Sequence, residues 1–521
     1  MTDSRSRFTW CALLLVVGLA ASAVAQPSPM LCGTSANNPL LREEGYTEPV
    51  GDLFIVCTGG VPTAPGDVVP AADFTVFFNN TRITSKVTAT AASNTLLFTE
   101  SLLLVDEPNT NLGTQHPILN CGQTGAPDDG PAGPGVCSIT STGDPTATYD
   151  GTTGHPNVFQ ARVEDSVYFS SIKFVGVPVD PPGTGNVRYF RITNLRANAT
   201  AFTGCSMTTL CTISATVSAT LPGNTDPFIG NVQAGTILPG LVTQISNTPN
   251  LRTPATVRIT EGFPSAWRAR NISFVVGDRS TPGNAPNGSY DGGTNYPDDI
   301  AQNVPNALYS TEGGLQWQND SANGPPSPNP PGFYNGTVLD LGNPLDSMAL
   351  GELNTGINGA GTVNSGTRVS LSFSSIPGGY AVQVPTVIYF HSTSDSTANS
   401  GVMVLTNTDT SGAGPYNPVV GTNGTSMVSG GLAVYEVLYA DVNAIEYADI
   451  PCTLTYNGGP YGPEPKTGVS VTVSLAPFYA PGSGADQPTP NVQFASPTTV
   501  PRFGPGSSAA LFPAKGKGGK P

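Results

Sequence analysis

Charged side chains are scarce in this sequence. Asp, Glu, Lys and Arg together make up 11% of the 521 residues, less than half of the usual share of about 25%. Lysine and arginine number 21 against 36 acidic residues, so the formal net charge is −15. Because nucleic-acid binders carry a basic surface, we expect no nucleic-acid partner. Hydroxyl and amide groups must cover most of the surface instead.

Catalytic motifs are also missing. The sequence has three histidines, His116, His155 and His391, and none has the spacing of a zinc enzyme. No nucleophile elbow, phosphate-binding loop or dinucleotide fingerprint occurs. His391 precedes Ser-Thr-Ser-Asp, but we interpret it as a polar histidine at a strand end, since nothing marks a partner serine. We therefore expect a protein that is not an enzyme.

Acidic residues are the remaining candidates for catalysis. Glu261 and Glu436 lie in apolar surroundings and are the better candidates for a general acid, and a glycoside hydrolase needs two facing carboxyls. Trp267 follows Glu261 closely, but a lone tryptophan in a sandwich usually packs in the core because of the area that it buries. A secreted hydrolase is the third-ranked function. Three neighbouring acid pairs are interpreted as solvated turn acids: Glu43-Glu44, Asp128-Asp129 and Asp298-Asp299.

The N-terminus has the pattern of a signal peptide over residues 1–25. Arg5 and Arg7 precede a mostly apolar run over 11–21, and Ala23-Val24-Ala25 is a small-x-small cleavage signal. The alternative, a retained membrane anchor, is disfavoured because the apolar run is short for a transmembrane span. We expect a secreted protein, located outside the cell or at the cell surface, with no membrane span in the mature chain.

Cysteines indicate disulfide bonds in an exported chain. Six of the seven cysteines that follow residue 25 form three close pairs, and proximity alone predicts the bonds Cys32–Cys57, Cys121–Cys137 and Cys205–Cys211. Six cysteines allow 15 connectivities, so the pairing stays open at this point. Cys452 is left over and is either a buried apolar residue, which we favour, or an intermolecular bond.

Short strand patterns with Gly, Pro and Asn between them predict an all-β protein. Residues 469–475 alternate apolar and hydroxyl side chains, as do 369–373 and 212–217, which is typical of antiparallel sheets with one wet face. Residues 73–78 and 432–439 are more apolar and are predicted to be central strands. We predict two or more antiparallel β-sandwich, immunoglobulin-like domains with long loops.

Two regions and a tail are predicted. The first region covers 26–250 and holds the predicted disulfides, and the second covers 251–480; the polar, proline-bearing stretch 246–254 separates them. Residues 481–521 are rich in Pro, Gly and Ser. We predict an irregular tail there because it has little to bury, and we consider it a possible assembly segment.

A loop around Tyr290 has the oxygen spacing of a degraded calcium site. Counted from Asn287, oxygen-bearing residues stand at the positions of an EF-hand loop, but the first Asp and the final Glu are replaced and flanking helices are missing. Asp, Asn, Gly and Pro are turn-forming residues, and a turn explains the loop better than a metal site does. We therefore expect no cofactor, with calcium as the one alternative. The candidate ligands are Asn287, Ser289, Asp291, Asn295 and Asp298.

Four stretches of the sequence carry a resemblance to known proteins: LREEGYTEPVGDLFIVCTGG at 41–60, VRYFRITNLRANAT at 187–200, VRITEGFPSAWRARN at 257–271 and VSLAPFY at 473–479. They resemble secreted, β-rich proteins of environmental, acidobacterium-like bacteria. The resemblance implies export, a β-sandwich build and a role outside the cell. It brings neither an activity nor any site residue.

We expect an extracellular structural protein, a self-assembling subunit of a surface layer, matrix or filament and hence a homo-oligomer or homopolymer. Exposed strand edges are natural assembly surfaces, and a terminal segment can add a strand to a neighbour's sheet; the candidates are 27–40 and 492–512. The alternative is an adhesin that binds a glycan or another surface. Its candidate contact residues are aromatic: Tyr290, Tyr296, Trp317 and Tyr334.

Overall fold

The protein is all-β in the part of the chain that a computed structural model describes. The described residues are 29–85, 87–90, 97–106, 138–145, 157–163, 170–224, 226–247, 253–268, 366–410, 412, 417–457, 468–476 and 506–512. Within these ranges there is no α-helix, and two short 3-10 turns, Ala199–Ala201 and Ser429–Gly431, accompany the strands. None of the described helices is long and apolar enough to cross a membrane.

The first sheet is built from the N-terminal part of the chain. Its order is β1-β4-β10-β7-β8-β9-β5-β12-β13-β2, with β6 paired to β7, while β3 and β11 pair separately. Only the pairing of β13 with β2 is parallel among the described pairs of this sheet. The strands are β1 Met30–Ala36, β2 Leu40–Arg42, β3 Glu48–Pro49, β4 Leu53–Gly59, β5 Ala71–Phe78, β6 Val87–Thr90, β7 Leu97–Val105, β8 Val158–Val163, β9 Ser171–Pro178, β10 Gly183–Thr193, β11 Arg196–Ala197, β12 Cys211–Ala219 and β13 Phe228–Leu238.

The second sheet is antiparallel throughout its described pairs. Its order is β14-β15-β22-β18-β19-β21-β16-β23-β24, and β17 pairs with β20 and β22. The strands are β14 Leu241–Ser246, β15 Ala255–Glu261, β16 Arg368–Ser374, β17 Tyr380–Pro385, β18 Val387–Ser392, β19 Asn399–Thr406, β20 Thr425–Met427, β21 Leu432–Tyr439, β22 Glu446–Tyr456, β23 Val469–Ala476 and β24 Ser507–Phe512.

Alternating side chains explain why these segments form half-buried strands. In β23 the apolar residues Val469, Val471, Val473 and Leu475 are buried, while the intervening hydroxyl residues are half-buried. The predicted central strands are confirmed, since β5 lies between β9 and β12, and β21 lies between β19 and β16. The all-β class is therefore confirmed, and the immunoglobulin-like sandwich stays a prediction.

Each sheet has its own hydrophobic core. The first core includes Phe74, Phe159, Phe174 and Phe190, all fully buried. The second core includes Trp267, which packs on Phe390 with ring centroids 5.1 Å apart. In the first sheet the end strand β1 lies close to β13, the neighbour of the other end strand, and in the second sheet the two end strands β14 and β24 lie close to each other.

The predicted irregular tail is wrong for Ser507–Phe512, which form β24 at the end of the second sheet. The sequence hides this strand because Ser507 to Ala510 are exposed and only Leu511 and Phe512 are buried. A register shift between Val469 and Ser470 leaves Leu511 without a directly paired residue. Such a bulge breaks the two-residue alternation, so two consecutive apolar residues enter the core.

The predicted region boundaries stay predictions. Strand pairing assigns β14, which precedes the predicted boundary near residue 250, to the second sheet together with β24. The predicted signal peptide over residues 1–25 lies outside the described residues.

Candidate functional site: the end strands of the two sheets

Four strands end the main strand orders of the two sheets in the part of the chain that the structure describes: β1 and β2 in the first, and β14 and β24 in the second; β6 and β20 lie beside these orders and each pair with one neighbour. Their sequences, MLCGTSA, LLR, LVTQIS and SSAALF, contain one charged residue, Arg42. Arg42 is buried, so its charge does not protect an edge. Natural proteins commonly place charges on edge strands to prevent pairing with other chains. These end strands have no such protection.

The strand β1 is fixed covalently to its neighbour. It pairs antiparallel with β4 over seven residues, from Met30 opposite Gly59 to Ala36 opposite Leu53. Cys32 lies directly opposite Cys57 in this register, and the two form a disulfide with Cα atoms 4.0 Å apart. Since this bond holds β1 in one register on β4, β1 cannot leave the sheet without reduction.

The strand β24 is held by noncovalent contacts alone. It pairs antiparallel with β23, and the Oγ atom of Ser508 lies 2.5 Å from Oγ1 of Thr472 on the paired residue. Leu511 and Phe512 are buried at 0% and 1% exposure in the second core. Just before the strand, a Cβ added to Gly506 would meet the Val473 carbonyl oxygen at 1.9 Å. Glycine therefore allows the chain to approach β23 closely.

Polar contacts join the first sheet to the segments of the second. Arg42 forms an ion pair with Glu48 at 2.7 Å, and its Nη1 atom donates to the Ala266 carbonyl at 3.2 Å and to Thr367 Oγ1 at 3.4 Å. Both charged side chains are 1% exposed. Removing one partner of such a buried pair leaves an uncompensated charge, so this contact is a specific joint between distant parts of the chain.

Glu44 belongs to the same joint, and its predicted role as a solvated turn acid is wrong. Its carboxylate accepts hydrogen bonds from the backbone N–H groups of Gly240 at 2.8 Å and Leu241 at 3.1 Å, where β13 passes into β14. Burial raises the pKa of Glu44, and the hydrogen bonds partly oppose this rise. Sequence reasoning missed this role because the partners lie almost 200 residues away.

Glu436, one of the two candidate general acids, is committed to an ion pair. It lies 2.9 Å from Arg368 with both side chains fully buried, and it also accepts a hydrogen bond from Gly366 N–H at 3.1 Å. This pairing, together with full burial, keeps the carboxyl from contact with a substrate. Its environment supports a structural role.

Glu261, the other candidate, lies beside a second buried acid, Glu446, which the sequence analysis did not identify. Glu261 accepts from Trp267 N–H at 2.7 Å and from Glu446 N–H at 3.1 Å. Burial, opposed by these hydrogen bonds and reinforced by Glu446, raises the pKa of Glu261 to about 8. The two carboxyls lie in the interior, at 2% and 0% exposure.

Glu446 is the less satisfied of the two acids. Neither carboxyl oxygen has a partner at hydrogen-bonding geometry, although Ser400 and the Asp441 backbone lie close enough to lower its pKa. Burial outweighs both and raises the pKa of Glu446 to about 7. This arrangement favours protonated acids, and Trp267 beside them is a core residue at 0% exposure, not a surface for a sugar ring.

His391 has the structural environment that we predicted from sequence. It is the next-to-last residue of β18, its Nδ1 atom lies 3.3 Å from the Ala398 carbonyl, and its ring contacts Tyr447. The neighbouring Asp395 accepts from Thr397 N–H and Oγ1. These contacts satisfy the polar groups of the fragment locally.

An exposed aromatic row crosses the outer face of the second sheet. Tyr389 on β18 pairs with Val402 on β19, which pairs with Tyr439 on β21. Tyr389 and Tyr439 are 53% and 61% exposed. Directly paired residues of antiparallel strands share a face, so the two tyrosines lie on the same surface. Because one strand separates theirs, the usual strand spacing places them about 10 Å apart. Sequence alone did not show which strands are neighbours.

Two of the three predicted disulfides are confirmed, Cys32–Cys57 and Cys205–Cys211. Cys452 is a free, buried cysteine, as favoured from sequence, and burial raises the pKa of its thiol to about 12. Eleven further predicted site residues lie outside the described residues: Cys121, Cys137, Asn287, Ser289, Tyr290, Asp291, Asn295, Tyr296, Asp298, Trp317 and Tyr334.

No group of three or more His, Cys, Asp or Glu side chains that could hold a metal ion occurs within the described ranges. The predicted calcium loop falls in the undescribed stretch 269–365. Calcium therefore stays an open alternative from sequence.

Comparisons with known proteins identify no family. No protein-family model matches the chain, and no curated protein matches it. Among solved structures, the chain is similar to the C-terminal domain of the AgI/II polypeptide BspA of Streptococcus agalactiae, with 5% identity, a TM-score of 0.25, and coverage of 85% of this chain and 95% of that one. A structure titled BspA_C_WT gives 6% identity, a TM-score of 0.24, and coverage of 85% and 94%. Similarity at this level determines neither fold nor function.

Proposed function

We propose that the protein is a non-enzymatic, extracellular structural subunit that associates with copies of itself through the ends of its sheets. The observation that carries this proposal is the absence of an exposed charge on the four described end strands β1, β2, β14 and β24. An unprotected edge presents backbone N–H and C=O groups that pair with another strand. Self-association uses this property.

The placement of the few charges supports the same function. Four arginines are buried in ion pairs with carboxylates, which removes them from the surface: Arg42 with Glu48, Arg188 with Asp106, Arg191 with Asp52, and Arg368 with Glu436. Charged residues are only 11% of the sequence, so few charges are left for the surface. Contacts between such surfaces do not require the desolvation of charges, which costs several kcal/mol per ion on full burial.

The disulfides support an extracellular location. Disulfides form and persist in oxidising compartments such as the cell exterior and the periplasm. Both described disulfides belong to the first sheet, where Cys32–Cys57 crosslinks neighbouring strands and Cys205–Cys211 closes a short loop.

Charge placed on the end strands tests the proposal. Leu31 in β1 is 65% exposed and Val242 in β14 is 50% exposed, so Leu31→Lys and Val242→Lys add edge charges without filling a core. Val420→Lys is the matched control, because Val420 is 96% exposed and lies outside the strands. We expect the wild type and the control to form oligomers or filaments in sedimentation and electron microscopy, and at least one end-strand variant to associate about tenfold more weakly.

Two results would contradict the proposal. The first is a wild type that remains monomeric at all concentrations. The second is that both end-strand variants associate as strongly as the control does. In the second case, self-association would use a surface other than the sheet ends.

Adhesion to a glycan or another surface is the second candidate function, and the row Tyr389–Val402–Tyr439 favours it. Aromatic rings with exposed faces supply large contact area at low entropic cost. Glycan-array binding that is lost in Tyr389→Ala and Tyr439→Ala and retained in the Tyr→Phe variants would support this function. Absence of binding by the wild type, with calcium and with a chelator, would reject it.

A further inference from the structure

The connection that precedes β24 is much longer than the pairing requires. Residues 477–506 separate β23 from β24 along the chain, although the two strands are antiparallel neighbours. Hairpins between such neighbours usually need two to five residues. Thirty residues span up to about 100 Å when extended. The length of the chain therefore does not confine β24 to its own sheet.

The docking site for β24 is defined by β23 and the second core. Ser507 to Phe512 follow β23 from Val473 back to Val469, and Leu511 and Phe512 fill the core next to it. Without β24, the edge of β23 and the apolar positions under these two side chains would be uncovered. The site thus needs a strand of this sequence, whichever copy supplies it.

No covalent bond among the described residues ties β24 to the sheet. The two described disulfides join residues of the first sheet, and Cys452 on β22 is free. This distinguishes β24 from β1, which Cys32–Cys57 fixes in place.

We propose that β24 of one copy docks on β23 of a second copy, in the register seen within the chain, and so links subunits head to tail. This inference deepens the proposed self-association and rests on it. The contacts made within one chain and between two chains are the same, which is the basis of domain swapping. Protein concentration and the effective concentration set by the connecting segment then decide which arrangement predominates.

Thr472 and Ser508 provide a direct test because they are paired across β23 and β24. Full-length Thr472→Cys protein is mixed with full-length Ser508→Cys protein, kept at assembling concentration and then oxidised. We expect a covalent dimer on a non-reducing gel, at about tenfold the yield of a Thr472→Cys plus Val420→Cys mixture, since Val420 is exposed and lies outside β23 and β24. The chain without added cysteines measures the background from the native thiols.

Gly506→Ala tests whether the dimer depends on strand docking. The substitution is made in the Ser508→Cys chain, which donates β24. The added methyl group would meet Val473 O at 1.9 Å and Ser474 Cβ at 2.5 Å, so overpacking should lower the crosslinking yield about tenfold. Gly33→Ala is the matched control on β1, because its added Cβ has nothing within 4 Å. We expect it to leave the yield unchanged.

The outcomes separate this inference from the proposed function. A mixture that gives no more dimer than the collision control, while sedimentation shows association, overturns strand exchange and leaves self-association in place. A dimer that forms equally well with Gly506→Ala also overturns strand exchange. A chain that neither crosslinks nor associates overturns both.

Discussion

The two sheets hold their terminal strands in opposite ways. In the first, β1 is crosslinked to β4 by Cys32–Cys57. In the second, β24 depends on its pairing with β23 and on the burial of Leu511 and Phe512. Both strands end a sheet, but only one of them can detach without breaking a covalent bond. The difference teaches that one chain can combine an end strand that is fixed covalently with an end strand that is held by noncovalent contacts.

The same contrast extends to buried charge. In the first sheet, Asp52 and Asp106 each pair with an arginine. In the second, Glu261 and Glu446 are buried beside each other, and both have raised pKa values. The second sheet also contains a buried ion pair, Arg368–Glu436, so what sets it apart is the pair Glu261 and Glu446, two acids that folding favours in the neutral form.

The largest expected effect comes from removing the anchor of β24. Phe512→Ala should lower the free energy of unfolding of the second sheet by about 3–5 kcal/mol, because it deletes a buried aromatic ring. Urea unfolding measures the change, and hydrogen exchange should show that β24 loses protection first. Leu31→Ala is the control, since Leu31 on β1 is 65% exposed and should cost less than about 0.5 kcal/mol. Equal losses of unfolding free energy in the two variants would contradict the idea that β24 depends on its buried side chains.

Removing the crosslink of β1 should make the two ends alike. Replacing Cys32 and Cys57 together with Ala should cost about 3 kcal/mol, because the 25-residue loop is no longer closed in the unfolded chain. We expect β1 amides to exchange as fast as those of β24. Replacing Cys205 and Cys211, which are six residues apart, is the control and should cost about 2 kcal/mol with slow exchange in β1. Unchanged exchange of β1 in the first variant would show that noncovalent contacts suffice there.

The buried acids should make the second sheet sensitive to alkaline pH. The pKa of Glu261 is about 8 and that of Glu446 is about 7 in the folded chain, against 4.5 as the ordinary value. Both carboxyls bind protons more tightly in the folded state than in the unfolded state. Their contribution to the free energy of unfolding is therefore fully present below about pH 4.5 and is lost as pH rises through 7 and 8.

We expect the free energy of unfolding to fall by at least about 2 kcal/mol between pH 5 and pH 9, since one pKa unit corresponds to about 1.4 kcal/mol and both pKa values are raised by more than one unit. Urea unfolding across this range measures the loss, and Glu446→Gln should flatten the dependence. A wild-type curve that rises over this interval, or a variant with the wild-type slope, would contradict the assignment.

The smallest expected effect concerns the exposed ion pair Arg258–Asp449, which lies at 2.6 Å with 44% and 43% exposure on the second sheet. A double-mutant cycle to Ala should give a coupling of about 0.5 kcal/mol that falls at high salt. The buried pair Arg191–Asp52 of the first sheet is the comparison, and its coupling should be several-fold larger. Similar couplings would show that burial does not strengthen the interaction within these ion pairs.

Much of the local structure could be predicted from the sequence. Alternation predicted strands that the structure places at Val469–Ala476, Arg368–Ser374 and Cys211–Ala219. The pairing of nearby cysteines was correct for both described disulfides. These features depend on residues close in sequence, because strand alternation follows from the two-residue repeat of the backbone.

The candidate site was less predictable. We predicted from the sequence that 492–512 is a possible assembly segment, but no pattern indicated a strand at Ser507–Phe512. Four of these six residues are exposed, and a bulge breaks the alternation of the strand. Glu44 and Glu446 were missed for another reason. Their burial depends on segments that approach only after folding, as when Gly240 and Leu241 reach Glu44.

The sequence by itself determined the all-β class, the low content of charged residues and the short-range disulfides, since composition and two-residue alternation act locally. Only the tertiary structure decided which strands end the sheets, which acids are buried, and that the tail supplies β24. These properties arise from contacts between residues far apart in the chain, such as Phe512 beside Val469. Each such contact contributes little free energy alone, and the total becomes large only when all of the partners are packed together.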